Sequence, residues 1–189
     1  GHFCGILLAA GYATRFGSDK LLHPLPDGRA IALASARALR AAMPHVVAVV
    51  SRNNRVLGNL LAAEGIEIVA APIRDEGMGS SIAAGVAASA GAAGWIVALG
   101  DMPYIRPDTV SAIRAALENG AALAAPVFDG QRGHPVGFAS RFREALAALR
   151  GDTGARDLLH KYRGELELIE CADPGIVRDI DRPGDLHEH

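Results

Sequence analysis

Short apolar runs alternate with Ala- and Leu-rich stretches of helical length along the whole chain, the order expected of βαβ units rather than of a sandwich or a bundle. The runs predict strands over residues 3–9, 45–51, 66–70, 95–99, 123–128 and 135–139. The stretches between them predict helices over 29–43, 54–64, 80–90 and 107–119. Several runs are apolar without alternation, so both faces of the sheet are expected to be covered. Pro107-Asp108 supplies a preset φ and a carboxylate to a first helical turn, and Gly120 stands where that helix would stop. Asp129-Gly130, between two strand-like runs, predicts a hairpin that makes an otherwise mostly parallel sheet mixed. Gly151-Asp152-Thr153-Gly154 separates two further helices. With no internal repeat or linker, the pattern predicts one three-layer α/β/α domain over residues 3–189. The Gly1-His2 pair ahead of the first apolar run is set aside as a cleavage remnant.

Composition narrows the function classes. A chain of 189 residues suits one domain, and 50% hydrophobic residues with a net charge of −2 exclude disorder and a broad basic surface, so no nucleic-acid partner is expected. No apolar run approaches the roughly 20 residues that cross a bilayer, and no secretory leader is visible, which predicts a soluble cytoplasmic protein with no membrane partner. Cys4 and Cys171 lack metal or redox spacing and read as buried free thiols; Trp95, opening an apolar run, reads as core. His23, His45, His134 and His160 share no ligand spacing, and no GxSxG elbow occurs, so neither a histidine metal site nor a hydrolase triad is expected.

In an open parallel sheet, ligands sit beyond the carboxyl ends of the strands. Four such places carry chemistry. The loop from Ala9 to Lys20 offers Gly11 and Gly17 for close approach of backbone N–H groups to an anion, and Arg15 and Lys20 as fixed positive charges. It is not a P-loop, because five residues separate those glycines and no Lys-Ser/Thr pair follows. Gly77-Met78-Gly79-Ser80-Ser81 opens a helix, but Ile82 occupies the third glycine position of a dinucleotide fingerprint; capping, or polar contacts to a ligand, remain open. Asp101 follows an apolar strand directly, and Asp179-Ile180-Asp181 offers alternating carboxylates near the chain end. Mg²⁺ is bound through one or two such carboxylates together with substrate oxygens.

Taken together, Leu8-Ala9-Ala10-Gly11 with Arg15, Gly17 and Lys20, then Gly77-Met78-Gly79-Ser80-Ser81, Gly100-Asp101-Met102-Pro103, Gly133-His134-Pro135 and Asp179-Ile180-Asp181-Arg182-Pro183 resemble the MobA-like nucleotidyltransferases, most closely their molybdenum-cofactor cytidylyltransferase branch. The likeness runs through nearly the whole chain. It implies a Rossmann-like fold of the nucleotide-diphospho-sugar transferase type. The implied activity is transfer of CMP from CTP to molybdopterin with release of pyrophosphate, with Mg²⁺ as cofactor and a molybdoenzyme as client. On that pattern Arg15 and Lys20 hold the phosphates, and Asp101 with Asp181, or its neighbour Asp179, holds the metal. Leu8, Ala9, Ala10, Gly11, Gly79, Ser80 and Ser81 hold the nucleotide, and His134 faces the acceptor. The Leu-Ala-Ala-Gly form implies a cytidine donor where Leu-Ala-Gly-Gly would imply guanosine. The Tyr12-Ala13-Thr14 stretch is less basic than the loop of many members. Three other readings stand beside this one: a sugar-phosphate or other small phosphorylated acceptor, a non-catalytic cofactor-delivery protein, and a nicotinamide-dependent oxidoreductase, the last at odds with the missing third glycine.

Overall fold

The computed structural model describes residues 2–11, 19–73, 77–180 and 185–186. Eight strands form one sheet: β1 (Phe3–Ala9), β2 (Val46–Val50), β3 (Glu67–Ala70), β4 (Gly94–Leu99), β5 (Leu123–Phe128), β6 (Gln131–Arg132), β7 (Val136–Ala139) and β8 (Leu166–Glu170). Their order is β3-β2-β1-β4-β7-β5-β6, with β8 beside β5. The block β3-β2-β1-β4 is wholly parallel, whereas β7 runs antiparallel to both β4 and β5. The predicted hairpin is the β5–β6 turn, where Asp129 (φ 50°) and Gly130 (φ 77°) take the left-handed conformations that a two-residue loop requires.

The helices are α1 (Ile31–Ala42), α2 (Arg55–Ala62), α3 (Met78–Ala88), α4 (Pro107–Glu118), α5 (Arg143–Ala147) and α6 (Arg156–Lys161). Apolar faces of α1, α2 and α4 cover one side of the sheet through Leu39, Leu57, Leu61 and Ile113. On the other side, Ile82 and Val86 of α3, Leu146 of α5 and Leu159 of α6 pack with Ile6, Val49, Trp95 and Phe138. These are the three expected layers. Trp95 is fully buried, its indole N–H donating to Ser89 Oγ at 3.0 Å. Cys4 is buried as expected, but Cys171 is only half-buried, because it follows β8 at the sheet margin.

Three elements depart from the sequence reading. β8 and β6 were not among the predicted strands: β6 has two residues, and β8 (LELIE) is largely exposed, so neither carries the apolar run of a buried strand. Helix α3 begins at Met78 rather than Ser80, with no side-chain cap. Its glycines serve packing instead: a Cβ on Gly77 would lie 2.5 Å from the Gly151 carbonyl oxygen, and one on Gly79 would lie 2.8 Å from that of Arg150.

Candidate active site

β1 and β4 lie side by side and end together, so their carboxyl ends deliver the loop after Ala9 and the segment bearing Asp101 to one place. Gly100 N–H donates to the Leu8 carbonyl at 2.9 Å, joining the two strand exits. Leu8 is half-buried, Ala9 and Ala10 are buried, and Gly11 is exposed with open space where a side chain would stand. Arg15 and Gly17 lie outside the described residues. The far end of that loop is fixed by local capping: Asp19 accepts from Leu21 N–H at 3.1 Å, starting a 3₁₀ turn at Lys20–Leu22, and also accepts from the Asn54 side-chain amide. Asn54 in turn caps α2 through Leu57 N–H at 3.1 Å. Lys20 is therefore held at its backbone while its four-carbon side chain reaches inward. Its Nζ donates to Asp101 Oδ2 at 3.1 Å, in a pair whose side chains are 15% and 23% exposed.

Asp101 is supported from behind. Ser35 Oγ on α1 donates to the Gly100 carbonyl at 2.7 Å, and Ile180 N–H donates to the Asp101 carbonyl at 2.8 Å. This second bond sets the C-terminal segment against the end of β4. Burial pushes the Asp101 carboxyl above its ordinary range; Lys20 opposes the shift, and the nearby charge of Asp179 adds to it. Asp179 also bears on His134, which enters from the start of β7. Desolvation and the charge of Arg132 push the His134 imidazole down to about 4, against the pull of Asp179, so the ring is neutral at pH 7. Lys20, Asp101, Asp179 and His134 thus share one corner. Asp181 lies outside the described residues.

The segment bearing Asp179 is strapped down by residues the sequence reading did not single out. Buried Asp173 accepts from Gly175 N–H at 2.9 Å and, at the start of α4, from Arg106 N–H at 2.8 Å and the Thr109 hydroxyl at 2.7 Å. His134 N–H donates to the Ile176 carbonyl at 2.9 Å, and Gly133 lies so close that a Cβ there would come 2.1 Å from the same oxygen. Ile180 and Leu186 then enter an apolar cluster with Leu25, Ile31 and Ala34. Asp173-Pro174-Gly175 is a turn and cap signal in the sequence; which helix it would cap was not readable there.

At the N-terminus of α3, Gly79 N–H donates to the Gly151 carbonyl at 2.8 Å and Gly151 N–H returns a bond to Ser80 Oγ at 3.3 Å. Ser81 is different: its hydroxyl is buried and finds no hydrogen-bond partner among the described residues, a costly state for a polar group. Between α3, β4, β7 and α6 a cavity of about 190 Å³ opens beside this corner, walled by Leu8, Ile82, Leu99 and Phe138, with His134 and Arg156 as polar lining. A divalent hard cation needs oxygen donors, and it commonly leaves several coordination positions to water and substrate phosphate. The donor set of Asp101 with Asp179 in its field fits such an ion, with water or substrate oxygens completing its shell; among the described residues no three His, Cys, Asp or Glu side chains cluster as a ready-made metal site.

A family model described as the MobA-like NTP transferase domain matches residues 5–166. Among curated proteins, the purine catabolism protein PucB of Bacillus subtilis (strain 168) is 30% identical, with 96% of this chain and 93% of the relative covered. A nicotine blue oxidoreductase of Paenarthrobacter nicotinovorans is 31% identical, with 94% and 91% covered. Among solved structures, Rv0371c of Mycobacterium tuberculosis H37Rv in complex with manganese superposes with a TM-score of 0.82 at 24% identity, covering 98% of this chain and 96% of that one.

Proposed function

The chain belongs to the MobA-like NTP transferase family, a family of nucleotidyltransferases, and from that premise we propose that it transfers CMP from CTP to the phosphate of molybdopterin, releasing pyrophosphate. An oxygen of the acceptor phosphate attacks the α-phosphorus of CTP. The new P–O bond forms as the bond from the α-phosphorus to the bridging oxygen breaks, and both electrons of that bond leave with pyrophosphate. The acceptor oxygen is already anionic at neutral pH, so no side chain need remove a proton; rate comes from alignment and from neutralising charge.

The observation that carries this reading is the meeting of Lys20, Asp101 and Asp179 where β1 and β4 end. Lys20, with Arg15, binds the triphosphate. Asp101, with Asp179 or Asp181, holds Mg²⁺, which when bound supplies positive charge to the phosphate oxygens; the manganese complex of Rv0371c makes Mn²⁺ a reasonable substitute in assays. Backbone groups of Leu8, Ala9, Ala10 and Gly11 frame the nucleoside. The unpartnered Ser81 hydroxyl has a hydrogen bond to give it, and Gly79 and Ser80 shape the helix start beside it. His134, kept neutral, offers the acceptor a hydrogen bond without adding charge, from the lining of the 190 Å³ cavity. A molybdoenzyme client would receive the product.

The test is pyrophosphate release over the four NTPs with Mg²⁺, with and without molybdopterin. Release with CTP only when molybdopterin is present supports the reading. Release with GTP instead overturns the donor, release with a sugar phosphate overturns the acceptor, and metal-independent oxidation of NADPH favours the redox activity that the 31% identical relative is named for.

A further inference from the structure

Lys20 and Asp101 are assigned above to different partners, the triphosphate and the metal, yet their side chains are bonded to each other at 3.1 Å. The contact is shielded, with 15% and 23% of the two side chains exposed, so it is screened less than a surface pair would be. Local charge explains why it forms. Asp101 is desolvated and already feels Asp179, and a carboxylate in that position recruits whatever cation is within reach. The Lys20 backbone is pinned by the Asp19 and Asn54 caps, while its flexible stem leaves the ammonium free to move from one oxygen acceptor to another.

We propose that Lys20 is an exchangeable internal counter-ion on Asp101, which occupies the carboxylate until a triphosphate draws the ammonium away and so clears Asp101 for the divalent ion. This deepens the function proposed above and rests on its reading of Asp101 as the metal-side carboxylate. A divalent ion arriving alone must displace, or sit beside, a positive charge on the same oxygen. Arriving with a triphosphate, it meets an ammonium that has a better partner. Metal and nucleotide therefore bind with positive coupling, and reciprocity requires the metal to strengthen nucleotide binding by the same factor.

The experiment reads Mn²⁺ binding to the nucleotide-free full chain by electron paramagnetic resonance, so it does not depend on activity. Lys20→Met is expected to bind Mn²⁺ about tenfold more tightly than wild type, the scale of removing one competing charge from a shielded carboxylate. Lys20→Arg, which keeps the charge, stays near wild type. Arg132→Met, which removes a neighbouring charge not bonded to Asp101, changes affinity less than threefold. The proposal is overturned if Lys20→Met binds no more tightly than wild type, or if Arg132→Met gains as much. Asp101→Asn separates the two layers: loss of Mn²⁺ binding in that variant upholds the metal assignment whatever Lys20 does, and retained binding removes the assignment itself. Lys20→Gln replaces Lys20→Met should thermal melting show the latter to be unfolded.

Discussion

Asp173 ties the segment carrying Asp179 to the rest of the site, and Asp173→Ala would release it. In the folded chain its carboxylate accepts from Arg106 N–H at 2.8 Å, the Thr109 hydroxyl at 2.7 Å and Gly175 N–H at 2.9 Å, and the residue is 3% exposed. Hydrogen bonds to a charged acceptor contribute about 1.5–3 kcal/mol each, and a buried donor left without a partner costs about 1–3 kcal/mol. The anion also sits at the start of α4, where the helix dipole favours it by about 0.3–1 kcal/mol. Water reaching the opened site offsets part of the loss, so we expect a net destabilisation of about 3–5 kcal/mol in urea unfolding, a large share of the about 5–15 kcal/mol typical of a domain. Asp173→Asn, which keeps one oxygen acceptor, should lose about half as much. At temperatures where Asp173→Ala is still folded, turnover should fall more than nucleotide binding weakens, since Asp179 and the neighbourhood of His134 loosen while the β1 exit does not. A loss below about 1 kcal/mol for the alanine variant would refute the strap as described.

Three further expectations concern the site directly. Asp101→Ala should lower pyrophosphate release by about 10²-fold or more, the usual scale for one electrostatic group at a phosphoryl centre, and near-normal turnover would remove Asp101 from the metal. His134, held down to about 4 in the fold against about 6.5 when unfolded, contributes stability that is present above pH 6.5 and drains away as pH falls toward 4, by about 3 kcal/mol. His134→Gln should therefore flatten the pH dependence of unfolding in that window, and an unchanged slope would contradict the burial of the ring. Gly79→Ala puts a methyl 2.8 Å from the Arg150 carbonyl oxygen, so it should cost about 1–3 kcal/mol and raise the nucleotide concentration needed for half-maximal rate, read from a melt and a titration together.

What could be read in the sequence was whatever is encoded locally. Strands such as β1 and β5 announce themselves because burial on both faces demands unbroken apolar runs, and the β5–β6 turn because only Asp-Gly-type pairs fit it comfortably. Asp101 was legible as a residue just past a strand end and Lys20 as the basic far end of the loop after β1, and the adjacency of β1 and β4 is consistent with their meeting. The features that escaped depend on partners remote in the chain. β8 is amphipathic and exposed, and it is a strand only because β5 offers an edge. Gly77 and Gly79 open like a dinucleotide fingerprint whose third glycine is missing, but their lack of side chains accommodates the turn at Gly151.

The same distinction applies to function. Asp101, Asp179 and His134 come from three segments, and none of the three has a local signal that fixes its charge state. Burial shifts Asp101 up and His134 down, and their neighbours modulate both: Asp179 raises the Asp101 carboxyl further and opposes the depression of His134, while Lys20 opposes the rise at Asp101. A residue-by-residue motif gives the cast of this site but not its coupling. Neutralising Asp179 should therefore act in two places at once, easing the ionisation of Asp101 and lowering the His134 imidazole further. Two independent sites would show only one of these changes, so titrating both groups by NMR in Asp179→Asn distinguishes a shared corner from two neighbouring ones.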